Sequence, residues 1–179
     1  MLKFVKLEKK HLQLVLDWRT SPEITRYMNT DIEYDMDKQI HWFEQISNNK
    51  NCRYWFISYR EEPVGLISIN NIDWQNKHCN GTYYISKQWH RNRFGALVHL
   101  CMLNHIFNSI KIQKHVAEIL SENKNSLKMH RSMGYKEIET IKDYVNKNGR
   151  WNDMIILEFR SPDWRKLQDK YSKYMVKFE

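Results

Sequence analysis

Apolar and polar positions along this chain change their period several times, and each period names an element. Leu2 to Leu7 alternates apolar with basic residues, the two-residue repeat of a strand with one buried face. Lys9 to Trp18 then brings Leu12, Val15, Leu16 and Trp18 onto one helical face. Ser21-Pro22-Glu23 reads as an N-cap followed by proline at the first position of a second short helix. Asp35 or Asp37 is placed to cap a third, in which Ile40, Phe43 and Ile46 recur at helical spacing. The first fifty residues are therefore expected to be mostly helical.

From Arg53 the pattern turns β-rich. RYWFISY and VGLISINNI are separated by REEP, which predicts a hairpin, and GTYYIS from Gly81 to Ser86 is expected to pair next. Ala96 to Ile110 returns to helix, with Leu97, Leu100, Cys101, Leu103, Phe107 and Ile110 as an apolar stripe, and HVAEIL from His115 to Leu120 reads as a buried strand. Asn125 to Met133 predicts a short helix stopped by Gly134. Strands near Lys136 to Val145 and Asp153 to Phe159 flank a Lys-Asn-Gly turn, and an amphipathic helix starts at Ser161-Pro162. This order predicts an α+β fold with one mixed sheet, as a single domain over residues 1–160 with a helical extension over 161–179.

Composition narrows the class. A chain of 179 residues, 41% apolar and 13% aromatic, suffices for one core. Lys and Arg number 29 against 21 acidic residues, and the net +8 favours an anionic partner such as nucleic acid, a nucleotide or a phosphorylated cofactor. Cys52, Cys79 and Cys101 are too widely spaced for a zinc site or disulfide framework, so buried free thiols and no metal are expected. The N-terminus is too interrupted by charge for a signal peptide, and no apolar run approaches the roughly 18 residues of a membrane span. A cytoplasmic protein without a membrane partner is the expectation.

One stretch concentrates anion-binding chemistry. HRNRFGALVHL sets Arg91, Arg93 and Gly95 at the mouth of a helix, where unpaired N–H groups and the helix dipole favour negative charge. On these residues alone a pyrophosphate cradle and a solvated helix start stand about even. From Tyr84, YISKQWHRNRFGAL resembles the coenzyme A pyrophosphate loop of the GCN5-related N-acetyltransferases, in which a strand ends and a Q/R-x-x-G-x-G turn opens a helix. Gly95 takes the second glycine, whereas Arg93 stands at the first and His90 where Gln or Arg is usual. Asn123 and Ser126, then His130, Gly134 and Tyr135, resemble the family's later motif, with His130 in place of its tyrosine.

The resemblance implies an acyl-CoA N-acyltransferase fold with a mostly antiparallel central sheet, and acetyl-CoA as donor. It implies that Ile85, Arg91, Asn92, Arg93, Phe94, Gly95, Ala96, Asn123 and Ser126 hold the coenzyme, and that His130 takes the place of the general acid. A leaving thiolate, with a thiol pKa of about 8.5, benefits from such a donor. A surface histidine on a short helix is the alternative. Glu118 lies among apolar neighbours in HVAEIL, a costly place for a carboxylate unless it faces a cleft or has a partner. The family's splayed strands make Glu118 the candidate general base, acting through water, against an outward charge on a half-exposed strand. A backbone N–H near Tyr84-Ile85-Ser86 is the candidate oxyanion donor.

The N-terminal third, LDWRTSPEITRYMNTDIEY followed by KQIHWFEQI, resembles the branch holding ribosomal-protein N-terminal acetyltransferases and, more closely, nucleotide-sugar acetyltransferases of pseudaminic acid biosynthesis. Trp18, Arg19, Pro22, Met28, Trp42, Phe43 and Glu44 fit its pattern, while Gln39 replaces a common His. This implies a UDP-linked amino-dideoxy sugar as acceptor, with Arg19 on a phosphate, Met28 over the uracil ring and Gln39 in the same pocket. An arginine pinning the loop after the first helix and a core methionine are the alternatives. Asn70, Asn71, Trp74 and His78 are placed to line the sugar side or simply to form a loop. The expected partners are small molecules and not nucleic acid, with a homodimer compatible. A peptide N-terminus as acceptor, or a basic nucleotide-binding or nucleic-acid-binding module, are the rival functions.

Overall fold

The two-residue repeats seen at both ends of the chain feed one sheet. In the structure, a computed structural model describing residues 2–92 and 94–179 without the side chains of Arg91 and Asn92, seven strands form. These are β1 (Leu2–Lys6), β2 (Arg53–Tyr59), β3 (Glu62–Asp73), β4 (His78–Ile85), β5 (Lys114–Leu120), β6 (Lys136–Lys147) and β7 (Arg150–Arg160), in the order β1-β2-β3-β4-β5-β7-β6. Every neighbouring pair is antiparallel except β4 with β5. The expected mixed, mostly antiparallel sheet flanked by helices is present.

Turn chemistry fixes the registers. β2 returns into β3 through Arg60 and Glu61, both left-handed at φ 51° and 66°, the twist-compatible hairpin turn made here without glycine. β6 returns into β7 through Asn148 and Gly149 at φ 52° and 80°, the residue pair that turn favours most.

Among the described residues, six α-helices cover the two faces: α1 (Leu12–Thr20), α2 (Pro22–Thr25), α3 (Met36–Ser47), α4 (Phe94–Asn104), α5 (Lys124–Ser132) and α6 (Ser161–Tyr171). Asp35 is the cap of α3, its Oδ1 accepting from the N–H groups of Asp37 and Lys38 at 2.9 and 3.1 Å. Ser21 precedes Pro22 as expected, but its hydroxyl donates to the Trp18 carbonyl at 2.7 Å and so closes α1 instead of opening α2. Helix α4 starts at Phe94, two residues before the expected Ala96, and runs on into a π-helical turn over His105–Ser109.

On one face Phe56 and Leu66 meet Leu12 and Val15 of α1, with Ile40, Phe43 and Ile46 of α3 packed behind them. On the other, Ile57, Ile67 and Ile69 pack with Val98, Met102 and Ile106. Each such fully buried side chain contributes about 1.5–3 kcal/mol. Trp164 of α6 is fully buried in that second core, and Phe178 stacks on Phe4 with ring centroids 4.3 Å apart. The segment after residue 160 thus shares the core of the sheet.

The feature that positions chemistry is an interruption. β4 and β5 pair only through His78 with Lys114, Cys79 with His115 and Asn80 with Val116. Beyond these, β4 follows β3 as far as Ile85 while β5 follows β7 as far as Leu120, so the sheet parts between them. Among the described residues, no helix is long and apolar enough to cross a membrane.

Candidate active site

At the parting, among the described residues, the edge of β4 from Gly81 to Ile85 has no strand on its β5 side. A 3-10 turn over Lys87–Asn92 leads from there into α4. His90 Nε2 lies 2.8 Å from the Ile85 carbonyl, which makes that nitrogen the donor and braces a turn usually built with glycine. Phe94 is anchored between the rings of Tyr59 and Trp89, 5.1 and 5.5 Å away. Gly95 follows on the open side: a Cβ there would meet nothing closer than the Tyr83 ring at 3.9 Å. The N–H groups of the first turn of α4, around Gly95 and Ala96, are the orphans every helix start carries. The side chains of Arg91 and Asn92, and all of Arg93, lie outside the described residues. Coenzyme A fits this frame, since an unpaired strand edge suits the amides of its pantetheine arm and a helix start suits its diphosphate.

Helix α5 borders the same parting. Asn123 caps it, its Oδ1 accepting the Ser126 N–H at 3.2 Å, and Gly134 ends it at φ +94°. His130, one turn after Ser126, is buried, and its Nδ1–H donates to the Ser126 carbonyl at 2.8 Å. Burial lowers its pKa below the ordinary histidine value.

On the α1–α3 face a cleft of about 790 Å³ opens beside the unpaired edge of β4. Alternation along the strands points Ser68 and Asn70, Asn80 and Thr82, and Val116 and Glu118 into it. Glu118 is exposed there, and its Oε1 accepts from Asn80 Nδ2 at 3.0 Å. Tyr84 also lines the cleft; its buried hydroxyl has no partner among the described residues, and burial raises its pKa well above the usual phenol range.

Arg19, Met28 and Gln39 line the cleft as well. Arg19 pins the loop after α2: its guanidinium donates to the Thr25 hydroxyl at 3.3 Å and to the Thr30 carbonyl and hydroxyl at 2.7 and 3.1 Å. Those bonds use three of its five N–H groups. The carboxylates at the rim are engaged. Asp31 pairs with Lys147, Glu33 with Lys38, and Asp35 caps α3. Asn70 and Asn71 border both this cleft and an adjoining depression of about 850 Å³ that holds Trp74 and His78.

Of the residues assigned site roles from sequence, five therefore converge by place. Glu118, Arg19, Met28 and Gln39 share the cleft, and Ile85 ends the strand that forms its edge. His130 and Ser126 sit apart from them on α5, where His130 enters a buried cluster of rings. Asn80 and the Tyr84 phenol escaped the sequence reading; a polar side chain every second residue along β4 was the available signal.

The chain matches the acetyltransferase (GNAT) domain family over residues 2–136. It is 20% identical over 143 residues to acetyltransferase PseH of Campylobacter jejuni, covering 80% of this chain and 88% of that protein. To the ribosomal protein uS5 alanine N-acetyltransferase of Escherichia coli it is 24% identical over 107 residues, 58% of this chain and 54% of that one. The crystal structure of spermidine N-acetyltransferase from Vibrio cholerae in complex with CoA and spermine shares the fold, with a TM-score of 0.87 at 14% identity over 92% of this chain and 98% of the other. With the domain matched over most of its length and the fold shared at so little identity, this chain belongs to the GNAT family and is an acetyl-CoA-dependent N-acetyltransferase.

Proposed function

We propose that the acceptor is the primary amine of a nucleotide-linked amino sugar. The observation that carries this reading is the contrast among the carboxylates of the cleft. Asp31, Glu33 and Asp35 are neutralised or spent on capping, whereas Glu118 accepts only a neutral amide N–H and keeps Oε2 open. One open carboxylate suits an acceptor with one ammonium, while a polyamine needs several. Asn70, Asn71, Asn80, Ser68 and Thr82 suit hydroxyl and acetamido groups, and Trp42, Tyr54 and Tyr84 supply flat apolar walls. The likeness to the PseH proteins supports the same class.

Acetyl-CoA, when bound, supplies an acetyl group already activated as a thioester. Residues of the chain do the rest. The α4 mouth holds the diphosphate and the free edge of β4 holds the amide-bearing arm. Glu118 Oε2 takes a proton from the acceptor ammonium through water, with Asn80 fixing the other oxygen. The amine nitrogen gains the acyl carbon and gives up a proton, and the departing sulfur takes one up. A backbone N–H near Ile85 stabilises the developing oxyanion. His130, through Nε2, is the group we assign to the sulfur. Arg19 retains two N–H groups for a phosphate, Met28 covers the base, and Gln39 completes the wall.

Purified chain is incubated with acetyl-CoA and, in turn, UDP-linked amino sugars, spermidine and peptides with free N-termini, and thiol release is followed. Release is expected chiefly with the sugars. Release confined to spermidine or to peptides overturns the assignment.

A further inference from the structure

Three histidines and a tyrosine meet under the parting of the sheet, on the side of β4 and β5 away from the acceptor cleft. His99 comes from α4, His115 from β5, His130 from α5, and Tyr135 follows Gly134. All four are buried. Tyr135 Oη lies 3.0 Å from His99 Nε2 and 2.7 Å from His115 Nδ1. A phenol has one proton, so Tyr135 donates to one imidazole and accepts an N–H from the other. Of the remaining nitrogens, His99 Nδ1 is buried without a partner among the described residues, and His115 Nε2 turns to the Gly81 backbone. His115 Nε2 sits where a Cβ on Gly81 would come within 2.7 Å, so it reaches the backbone of the cleft wall. Burying polar nitrogens in a core costs stability that leucines in their place would not.

What the clamp holds is His130. The His99 and Tyr135 rings both pack edge-to-face against it, with centroids 4.6 and 4.7 Å away and interplanar angles of 76° and 73°. With Nδ1–H committed to Ser126, the His130 ring has its plane set by its two neighbours and its polarity set by its own helix. The other titratable groups facing this cluster are the Tyr83 phenol, which donates to Met129 Sδ at 3.5 Å, and the buried thiol of Cys79, which sits opposite His115 in the strand pairing. No ion pair among the described residues reaches it.

We propose that Tyr135 is a positioning residue for acetyl transfer: by clamping His99 and His115 it keeps the His130 ring oriented so that Nδ1–H stays on the Ser126 carbonyl and Nε2 is kept for the leaving sulfur. The proposal rests on the assignment of His130 made above, and the test separates the two. Uniformly ¹⁵N-labelled chain gives the tautomer of each histidine by imidazole NMR, independently of turnover. The native chain shows His130 as the Nδ1–H form at pH 7, and Tyr135→Phe mixes its tautomers. In kinetics, Tyr135→Phe lowers kcat about tenfold with KM for acetyl-CoA within twofold and displaces the acidic limb of the pH profile. In a His130→Phe background it causes no further loss. His115→Asn, which keeps a polar atom at the bonded position, restores most of the kcat that His115→Leu loses, and this pair decides the matter should Tyr135→Phe not fold. An unchanged His130 tautomer in Tyr135→Phe, or an equal loss in the His130→Phe background, overturns the proposal. Full turnover by His130→Phe alone removes His130 from the chemistry, and the NMR still decides whether Tyr135 sets its tautomer.

Discussion

Lys147 Nζ sits 2.5 Å from Asp31 Oδ1, joining the β6–β7 hairpin to the loop between α2 and α3 across 116 residues of chain. The Lys147 side chain is 8% exposed and that of Asp31 is 69% exposed, so the two ends of the pair differ in what their loss does. The same ammonium donates to the Thr25 carbonyl at 3.3 Å, and Thr25 Oγ1 donates to Asp31 at 3.0 Å. With Arg19 holding the loop from α1, one wall of the acceptor cleft is fastened from both halves of the chain.

Removing the acidic partner strands a buried cation, whereas removing the lysine frees a carboxylate that water already reaches. Asp31→Asn is expected to cost about 1–2 kcal/mol, after allowance for the exposed partner, and Lys147→Met less. Both variants raise KM for the acceptor and leave KM for acetyl-CoA unchanged. Urea midpoints and the two KM values check this; equal losses in both variants would show that the stranded charge is not the cause.

Glu118→Gln keeps the hydrogen bond from Asn80 and loses the base. Turnover is expected to fall about a hundredfold while coenzyme A binding, measured by calorimetry, stays within twofold. Restoring rate by raising pH, which deprotonates the acceptor without help, distinguishes this from misfolding.

Two glycines separate backbone from side-chain clashes. A Cβ at Gly65 would lie 2.1 Å from the Tyr84 carbonyl, which belongs to the strand pairing and cannot swing away. At Gly81 the clash is with His115 Nε2 and Met102 Sδ, each at 2.7 Å and each on a side chain. Gly65→Ala is expected to cost about 3 kcal/mol or more, and Gly81→Ala less because methionine adapts. Thermal melts of the two variants settle the order.

Stability has a pH signature. Burial holds His105 down to about 4 and His115 down to about 3, against about 6.5 in the unfolded chain. Above pH 6.5 both states are neutral at these groups and nothing changes. Below it the unfolded chain binds protons that the native one refuses, so stability falls from about 6.5 to about 4 for His105 and onward to about 3 for His115. Each contributes a slope of about 1.4 kcal/mol per pH unit within its window. Urea midpoints between pH 7.5 and 4.5 should show it, and His105→Phe should flatten the curve by one proton's worth.

Local signals carried most of the fold. Asp35 could be read as a cap and Gly134 as a helix stop because each acts within a few residues of itself. The early start of α4 at Phe94 was hidden because anchoring by Tyr59 and Trp89 is tertiary. The cleft was partly legible: Arg19, Met28, Gln39 and Glu118 do share it. Lys147 was not, since nothing near it in sequence distinguishes a buried lysine from a solvated one. His99 and His115 were equally silent, and Tyr135, marked by the motif, gave no sign of the cluster it joins, because core histidines announce themselves only through partners brought from separate elements.

In the donor-binding role we propose, a strand pairing that stops after three residues makes main chain into binding equipment. Side chains along β4 can drift without erasing the N–H and C=O valences left vacant between Gly81 and Ile85, which every residue but proline supplies in full. Recognition written into the polymer and not into its substituents is heritable almost regardless of spelling, and a frame so written tolerates exchange of the acceptor wall while the donor slot stays in place.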